Sequence, residues 1–198
     1  MRRIASCSLL CLVLALPAAA AGWTNPADSP ELLGTPIEEL QYDFAHHCGP
    51  RSTPGIRLLT SWIDAHYPGV SWGVYRCERL DKHTRSLHSE GRALDWHLDA
   101  RRKRERRAAN DLINLLLAPD AQGNVHAMAR RMGVQELIFN CQAWFGGEGG
   151  METYSVCQGR GHVDPTTAHR NHIHIGLNWA GAKAQTSFWR SSVAPSGP

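Results

Sequence analysis

Beyond its first twenty residues the chain has no long apolar stretch, and it has no close C-x-x-C pair and no internal repeat. Each absence removes a class of protein. Without a later run of about 20 apolar residues, no segment after the N-terminus reads as a membrane-spanning helix. The missing C-x-x-C spacing argues against a tetrathiolate zinc site. Charge is also scarce: the formal net charge is +3, and Arg2 and Arg3 account for most of it. A chain this close to neutral, with no carboxylate cluster for two metals, gives little support to a nucleic-acid partner or to nuclease chemistry. The basic run Arg101 to Arg107 opens a pattern with Ala108, Leu112, Leu115 and Leu116 on one face, so it reads as the solvated side of a helix.

The first 21 residues carry the marks of a signal peptide: basic Arg2 and Arg3, the apolar stretch Leu9 to Leu16, and small residues at Ala18 to Ala21. The expected location is secreted or periplasmic, with no membrane attachment after cleavage. Cys7 and Cys11 leave with that segment, and Cys48, Cys77, Cys141 and Cys157 remain, an even number suited to an oxidising compartment. Of the three possible connectivities, Cys48 with Cys77 and Cys141 with Cys157 is favoured, because each closes a local loop beside a candidate functional segment.

The chain has 198 residues, 42% of them hydrophobic, enough for one domain with its own core. Residues 22–47 are rich in Pro, Gly, Asp and Ser and read as a surface lead-in, and residues 183–198 as a flexible tail. Between them, Thr53-Pro54 starts an amphipathic helix that ends at Pro68-Gly69. Val70 to Arg76 reads as a strand, as do Arg92 to Leu98, Val134 to Asn140 and His172 to Leu177. Helices are expected over Arg101 to Leu117 and near Val125 to Met132, and Gly146 to Gly150 is a flexible loop expected near a cleft. Strands mixed with segregated helices indicate an α+β fold with an antiparallel sheet.

The chemistry concentrates in Ser86 to Asp95, SLHSEGRALD. His88 and Asp95 are of the types that bind zinc, at about 2.0 to 2.2 Å, and Gly91 lets the chain turn back between them. A further ligand has two candidates, because His172 and His174 share a strand face while Ile173 and Ile175 share the other. His97 shares the face of Asp95, and His169 precedes the second motif, so both are candidates for a cleft; Trp144 suits either core or substrate platform. His46, His47, His66, His83, His126 and His162 read as structural or exposed.

SLHSEGRALD is similar to the S-x-H-x-x-G-x-A-x-D signature of the zinc D-alanyl-D-alanine carboxypeptidase and hedgehog superfamily, and His172-Ile173-His174 to the H-x-H of its lysostaphin-like and murein-endopeptidase branches. More closely, the chain resembles a group of secreted, actinobacterial-type proteins that pair Tyr75-Arg76, His88 to Trp96, Asn140 to Trp144 and Asn171 to Ile175. The resemblance implies that fold over residues 48–182. It implies one Zn2+ held by His88, Asp95 and His174, with His172 as proton carrier, Arg76 acting on the scissile carbonyl or a substrate carboxylate, and Ser86 bracing a ligand. The expected activity is hydrolysis of peptide bonds in peptidoglycan stem peptides or cross-links by a monomer. The alternative is a zinc-dependent wall binder without catalysis. It gains weight from Asn171, which stands where relatives often place an acidic general base and cannot accept a proton.

Overall fold

Pro at the first helical position, where its missing N–H costs nothing, fixes the start of the first long helix at Pro54. The computed structural model describes residues 24–147, 149–159 and 161–194; the segment expected to be a signal peptide lies outside them. The helices are α1 (Pro30–Leu33), α2 (Pro54–His66), α3 (Lys103–Leu117), α4 (Ala127–Met132), α5 (Trp179–Ala182) and α6 (Ser187–Arg190). The strands are β1 (Val70–Gly73), β2 (Ala93–His97), β3 (Val134–Phe139), β4 (Gln142–Phe145), β5 (Glu152–Thr153) and β6 (Ile173–Leu177). All six form one antiparallel sheet in the order β1-β2-β6-β3-β4-β5. The last strand in the chain therefore sits at the centre, where the α+β expectation needs a site-bearing strand.

Strand parity divides the sheet into two faces. Leu94, Trp96, Leu137, Phe139, Ile173, Ile175 and Leu177 join Ile56, Leu59, Trp62 and Ile63 of α2 and Leu112 and Leu116 of α3 in one buried core. Truncating any of these leucines to Ala removes about 2–5 kcal/mol. The opposite face holds Asp95, His174 and Glu136. It is covered by loops and a 3-10 turn at Leu87–Glu90, all four residues of which are buried.

Both expected disulfides are present, Cys48–Cys77 and Cys141–Cys157. No helix among the described residues is long and apolar enough to cross a membrane. Both facts are compatible with an exported protein.

Several expectations are corrected. The strand after Pro68-Gly69 stops at Gly73, because the register slips between Ser71 and Gly73 and the chain leaves the sheet. Residues 183–194 are not a loose tail: Phe188 and Trp189 on α6 enter the core, and Trp189 Nε1 donates to the Met132 carbonyl at 2.9 Å. The lead-in is not confined to the surface either, since Ala27 and Leu32 are fully buried.

Candidate metal centre

Antiparallel register brings Asp95 on β2 directly opposite His174 on β6. His88 reaches the same point from the 3-10 turn, and local chemistry fixes that turn. Ser86 Oγ accepts the His88 N–H at 3.4 Å and caps its start, which gives the expected bracing role through the backbone. Gly91 ends it with φ +58°, and a side chain there would meet Pro50 O at 2.6 Å, so only glycine fits. Across the sheet, a side chain on Gly176 would collide with Leu87, so that glycine lets the turn lie flat on β6.

Three atoms converge. His88 Nε2 lies 3.0 Å from Asp95 Oδ1 and 3.1 Å from His174 Nδ1, and His174 Nδ1 lies 3.1 Å from Asp95 Oδ1. His88 Nδ1 donates to the Val74 carbonyl at 2.9 Å, which leaves Nε2 a bare lone pair, and burial holds the ring neutral by pushing its pKa down. Asp95 faces it with another acceptor. Burial pushes that carboxyl up, but the hydrogen bond from His174 outweighs this and holds it well below the usual carboxylate range. Two acceptors at 3.0 Å require a cation or a proton between them. Without a metal, His174 Nδ1, 3.1 Å from both, is the donor that faces them; burial pushes its pKa down, yet the Asp95 hydrogen bond and the charge of Glu136 lift it above the ordinary histidine value. With tetrahedral bonds of about 2.0–2.1 Å, ligand atoms stand about 3.3–3.4 Å apart, so the observed triangle is a few tenths of an ångström from a metal-ligand face. His88, Asp95 and His174, all buried, thus form a group that could hold a metal ion.

His172 stands beside this triangle, not in it. Its Nδ1 pairs with Asn171 Oδ1 at 2.9 Å, while Nε2 is buried without a hydrogen-bond partner, 3.5 Å from Asp95 Oδ1. Asn171 Nδ2 in turn donates to Thr166 Oγ1 at 2.9 Å. Asn171, expected only as a missing base, therefore orients His172. Burial, against the pull of Asp95, lowers His172 to about 4. His169 packs on it with ring centres 4.7 Å apart and is lowered to about 3 by burial and by the His174 and His172 charges.

Arg76 does not stand free for a substrate. Its Nη1 donates to Asp95 Oδ2 at 2.7 Å and its Nε to Glu78 Oε2 at 3.0 Å, so it steadies the ligand carboxylate. Ser89 ties down that segment, accepting the Glu78 N–H at 2.9 Å and donating to the Arg76 and Glu78 carbonyls.

The triangle lies beneath a cleft of about 720 Å³. Its walls include Tyr42, Trp72, Arg85, Phe145 and Tyr154, together with Arg76, His169 and His172. Of the two readings of Trp144, the core one holds and the cleft one does not: it pairs with Leu137 on the core side and its ring meets His126, whereas the next residue, Phe145, faces the cleft. His97 packs against Trp72, with ring centres 4.6 Å apart, and stays outside the ligand triangle. None of the described residues of the Gly146 to Gly150 loop lines the cleft, and Gly149 contacts His126 instead. His46, His47, His66, His83 and His162 are exposed, and His126 is buried away from the cleft.

Sequence reasoning missed Glu136 and Tyr42. Glu136 Oε2 accepts the Tyr42 hydroxyl at 2.7 Å, and Oε1 lies 3.5 Å from His174 Nε2. A lone acid inside the strand V-Q-E-L-I-F was the available signal. Comparison with known proteins adds one result. No curated protein and no solved structure matches the chain. Residues 48–172, more than half of the chain and a span that contains His88 and Asp95 but not His174, match the family described as VldE, C-terminal domain, so the chain belongs to that family.

Proposed function

We propose that the chain is a secreted zinc-dependent peptidase or amidase that hydrolyses peptide bonds in peptidoglycan stem peptides or cross-links. The observation behind this reading is the meeting of three lone-pair atoms, on His88, Asp95 and His174, under an open cleft with an unpartnered His172 Nε2 beside them. Two histidines and a carboxylate are a donor set suited to zinc, and three protein ligands leave room for a substrate or water, as catalytic sites require. The choice of substrate rests on the resemblance of SLHSEGRALD and His172 to His174 to the D-alanyl-D-alanine carboxypeptidase and hedgehog superfamily.

Zinc bound there supplies a Lewis acid for the scissile carbonyl and lowers the pKa of water to about 7. The chain's own residues do the rest. His172, neutral near pH 7 and with Nδ1–H fixed on Asn171, offers Nε2 to take a proton from the attacking water and return it to the leaving amine. Such a carrier contributes about 10²- to 10⁴-fold. Arg76 holds Asp95 through Oδ2 and so leaves Oδ1 turned toward the two histidines. Aromatic and basic walls provide for a substrate with apolar and anionic parts.

The second reading, a zinc-dependent binder, is favoured by two observations: Arg76 is committed to Asp95, and the residue that orients His172 is an uncharged amide. Elemental analysis and muropeptide digestion test both. One zinc per chain, lost in His88→Ala, Asp95→Ala and His174→Ala, with native protein cleaving muropeptides, is the expected result. Zinc-loaded protein that leaves muropeptides intact selects the binder, and undiminished zinc in all three variants rejects the site.

A further inference from the structure

A ligand histidine has two nitrogens, and only one of them faces the triangle. His174 turns Nδ1 toward His88 and Asp95, so in the metal-binding tautomer its Nε2 carries the proton. That nitrogen is buried and has no hydrogen-bond partner, yet Glu136 Oε1 lies 3.5 Å away. The carboxylate is itself held, since Tyr42 donates to Oε2 at 2.7 Å. Tyr42 is fixed in turn by edge contacts to Phe44 and Phe145, with ring centres 4.9 and 6.0 Å apart. The sheet register explains how Glu136 gets there. It pairs with Gly176, two residues beyond His174 on the same face, and a side chain at 176 would meet Glu136 Cβ at 3.1 Å. The glycine that admits Leu87 also leaves a lane for Glu136 to run along β6 toward His174.

We propose that Glu136 and Tyr42 are positioning residues for the metal centre: the Glu136 carboxylate takes the Nε2–H of His174, fixing its tautomer and ring, and the Tyr42 hydroxyl fixes Glu136. A carboxylate on the far nitrogen of a metal-binding histidine raises the basicity of the ligating nitrogen, and its loss typically weakens metal binding about 10- to 100-fold. Both Glu136 oxygens are occupied in this arrangement, which distinguishes it from a free general base. The inference rests on the proposed metal site.

The test uses the mature chain, stripped of metal, with zinc affinity measured against a chromophoric chelator and the Co2+ absorption spectrum as a signature of ligand geometry. Glu136→Ala is expected to weaken zinc binding about 10- to 100-fold and shift the Co2+ bands. Glu136→Gln keeps an oxygen acceptor and is expected to recover part of the loss, with Tyr42→Phe losing less than Glu136→Ala. Thermal unfolding of each metal-free variant serves as the folding control; should Glu136→Ala fail to fold, the Gln and Tyr42→Phe variants carry the test. Glu136→Ala binding zinc as tightly as the native chain overturns the proposal. So does Glu136→Gln with native zinc affinity and abolished turnover, which makes the carboxylate a proton carrier. A native chain that binds no zinc, or His88→Ala that binds it undiminished, sinks the metal site itself and is distinguishable from either.

Discussion

Replacing Asn171 by Asp puts a negative charge where an amide oxygen now lies 2.9 Å from His172 Nδ1. In the native chain burial keeps His172 neutral, with its pKa lowered to about 4. An opposite charge within about 4–6 Å raises such a pKa by about 1–3 units, so the variant's His172 is expected to titrate at roughly 5–7. Stability follows the same sign. Between pH 4 and 6.5 the native fold binds fewer protons at His172 than the unfolded chain does, so stability rises with pH across that window, by about 3 kcal/mol. Asn171→Asp narrows the window and flattens the slope. The assay is a pH titration of ¹⁵N-histidine NMR signals in the metal-free mature chain, paired with urea midpoints at pH 4.5 and 6.5. If the chain is a hydrolase, the acid limb of its pH–rate profile moves upward by the same 1–3 units. A His172 pKa that moves by less than about half a unit refutes the claim that residue 171 orients and tunes this ring.

Three other outcomes can be checked. Metal must displace the proton that His174 holds through its raised pKa, so zinc affinity is expected to rise with pH, by up to about tenfold per unit below that pKa, and then level off; an affinity independent of pH contradicts this. Arg92, fully buried, pairs with Glu90 at 2.8 Å, donates to the Leu177 and Asp43 carbonyls and stacks on Trp179. Arg92→Ala leaves the buried Glu90 carboxylate without its counter-charge, with only the His46 and His47 N–H groups on Oε1, and should cost about 3–5 kcal/mol by urea denaturation; a loss under 1 kcal/mol would show that the pair is not buried as described. Opening Cys141–Cys157, whose residues are 16 apart, with a double Ser variant should cost about 3 kcal/mol in thermal unfolding and expose the Tyr154 loop to proteolysis; unchanged stability and resistance count against a staple there.

The two faces of the sheet were legible because period-two strands print them in the sequence, whereas the choice of His174 over His172 came from the resemblance and His88 lies on a turn that no period marks. Asp95 alternates with Leu94 and Trp96, and His174 with Ile173 and Ile175, so both ligand faces and the core face follow from local spacing. The same rule left Trp144 open between core and platform. Which of Trp144 and Phe145 faces the cleft depends on the β3–β4 register, and a two-residue turn sets that register: Asn140 and Cys141 adopt φ of +49° and +61°. Cysteine at such a position gives no local warning. Tyr42 was illegible for another reason. It lies 94 residues from Glu136, in a stretch whose Pro-rich composition reads as surface, and only the folded chain brings them together. Phe188 and Trp189 form too short an apolar pair for any periodicity, so their place in the core also depends on tertiary packing.

The way these residues are mounted separates two jobs. Asp95 and His174 sit opposite each other at the centre of the sheet, and His88 sits on a turn capped at both ends by Ser86 and Gly91. Those positions move only if strands slip, and a one-residue slip would turn every core side chain to the wrong face. The metal-binding geometry is thereby protected by the same burial that holds the fold. His172 and Arg76 are mounted differently. His172 precedes β6 and depends on Asn171 and Thr166, and Arg76 lies in a loop past β1 held through Ser89. Loop contacts of this kind can adjust by rotation of a few side chains without disturbing the sheet. The three candidate ligands therefore sit at the rigid centre of the molecule, and His172 and Arg76 on the loops beside it.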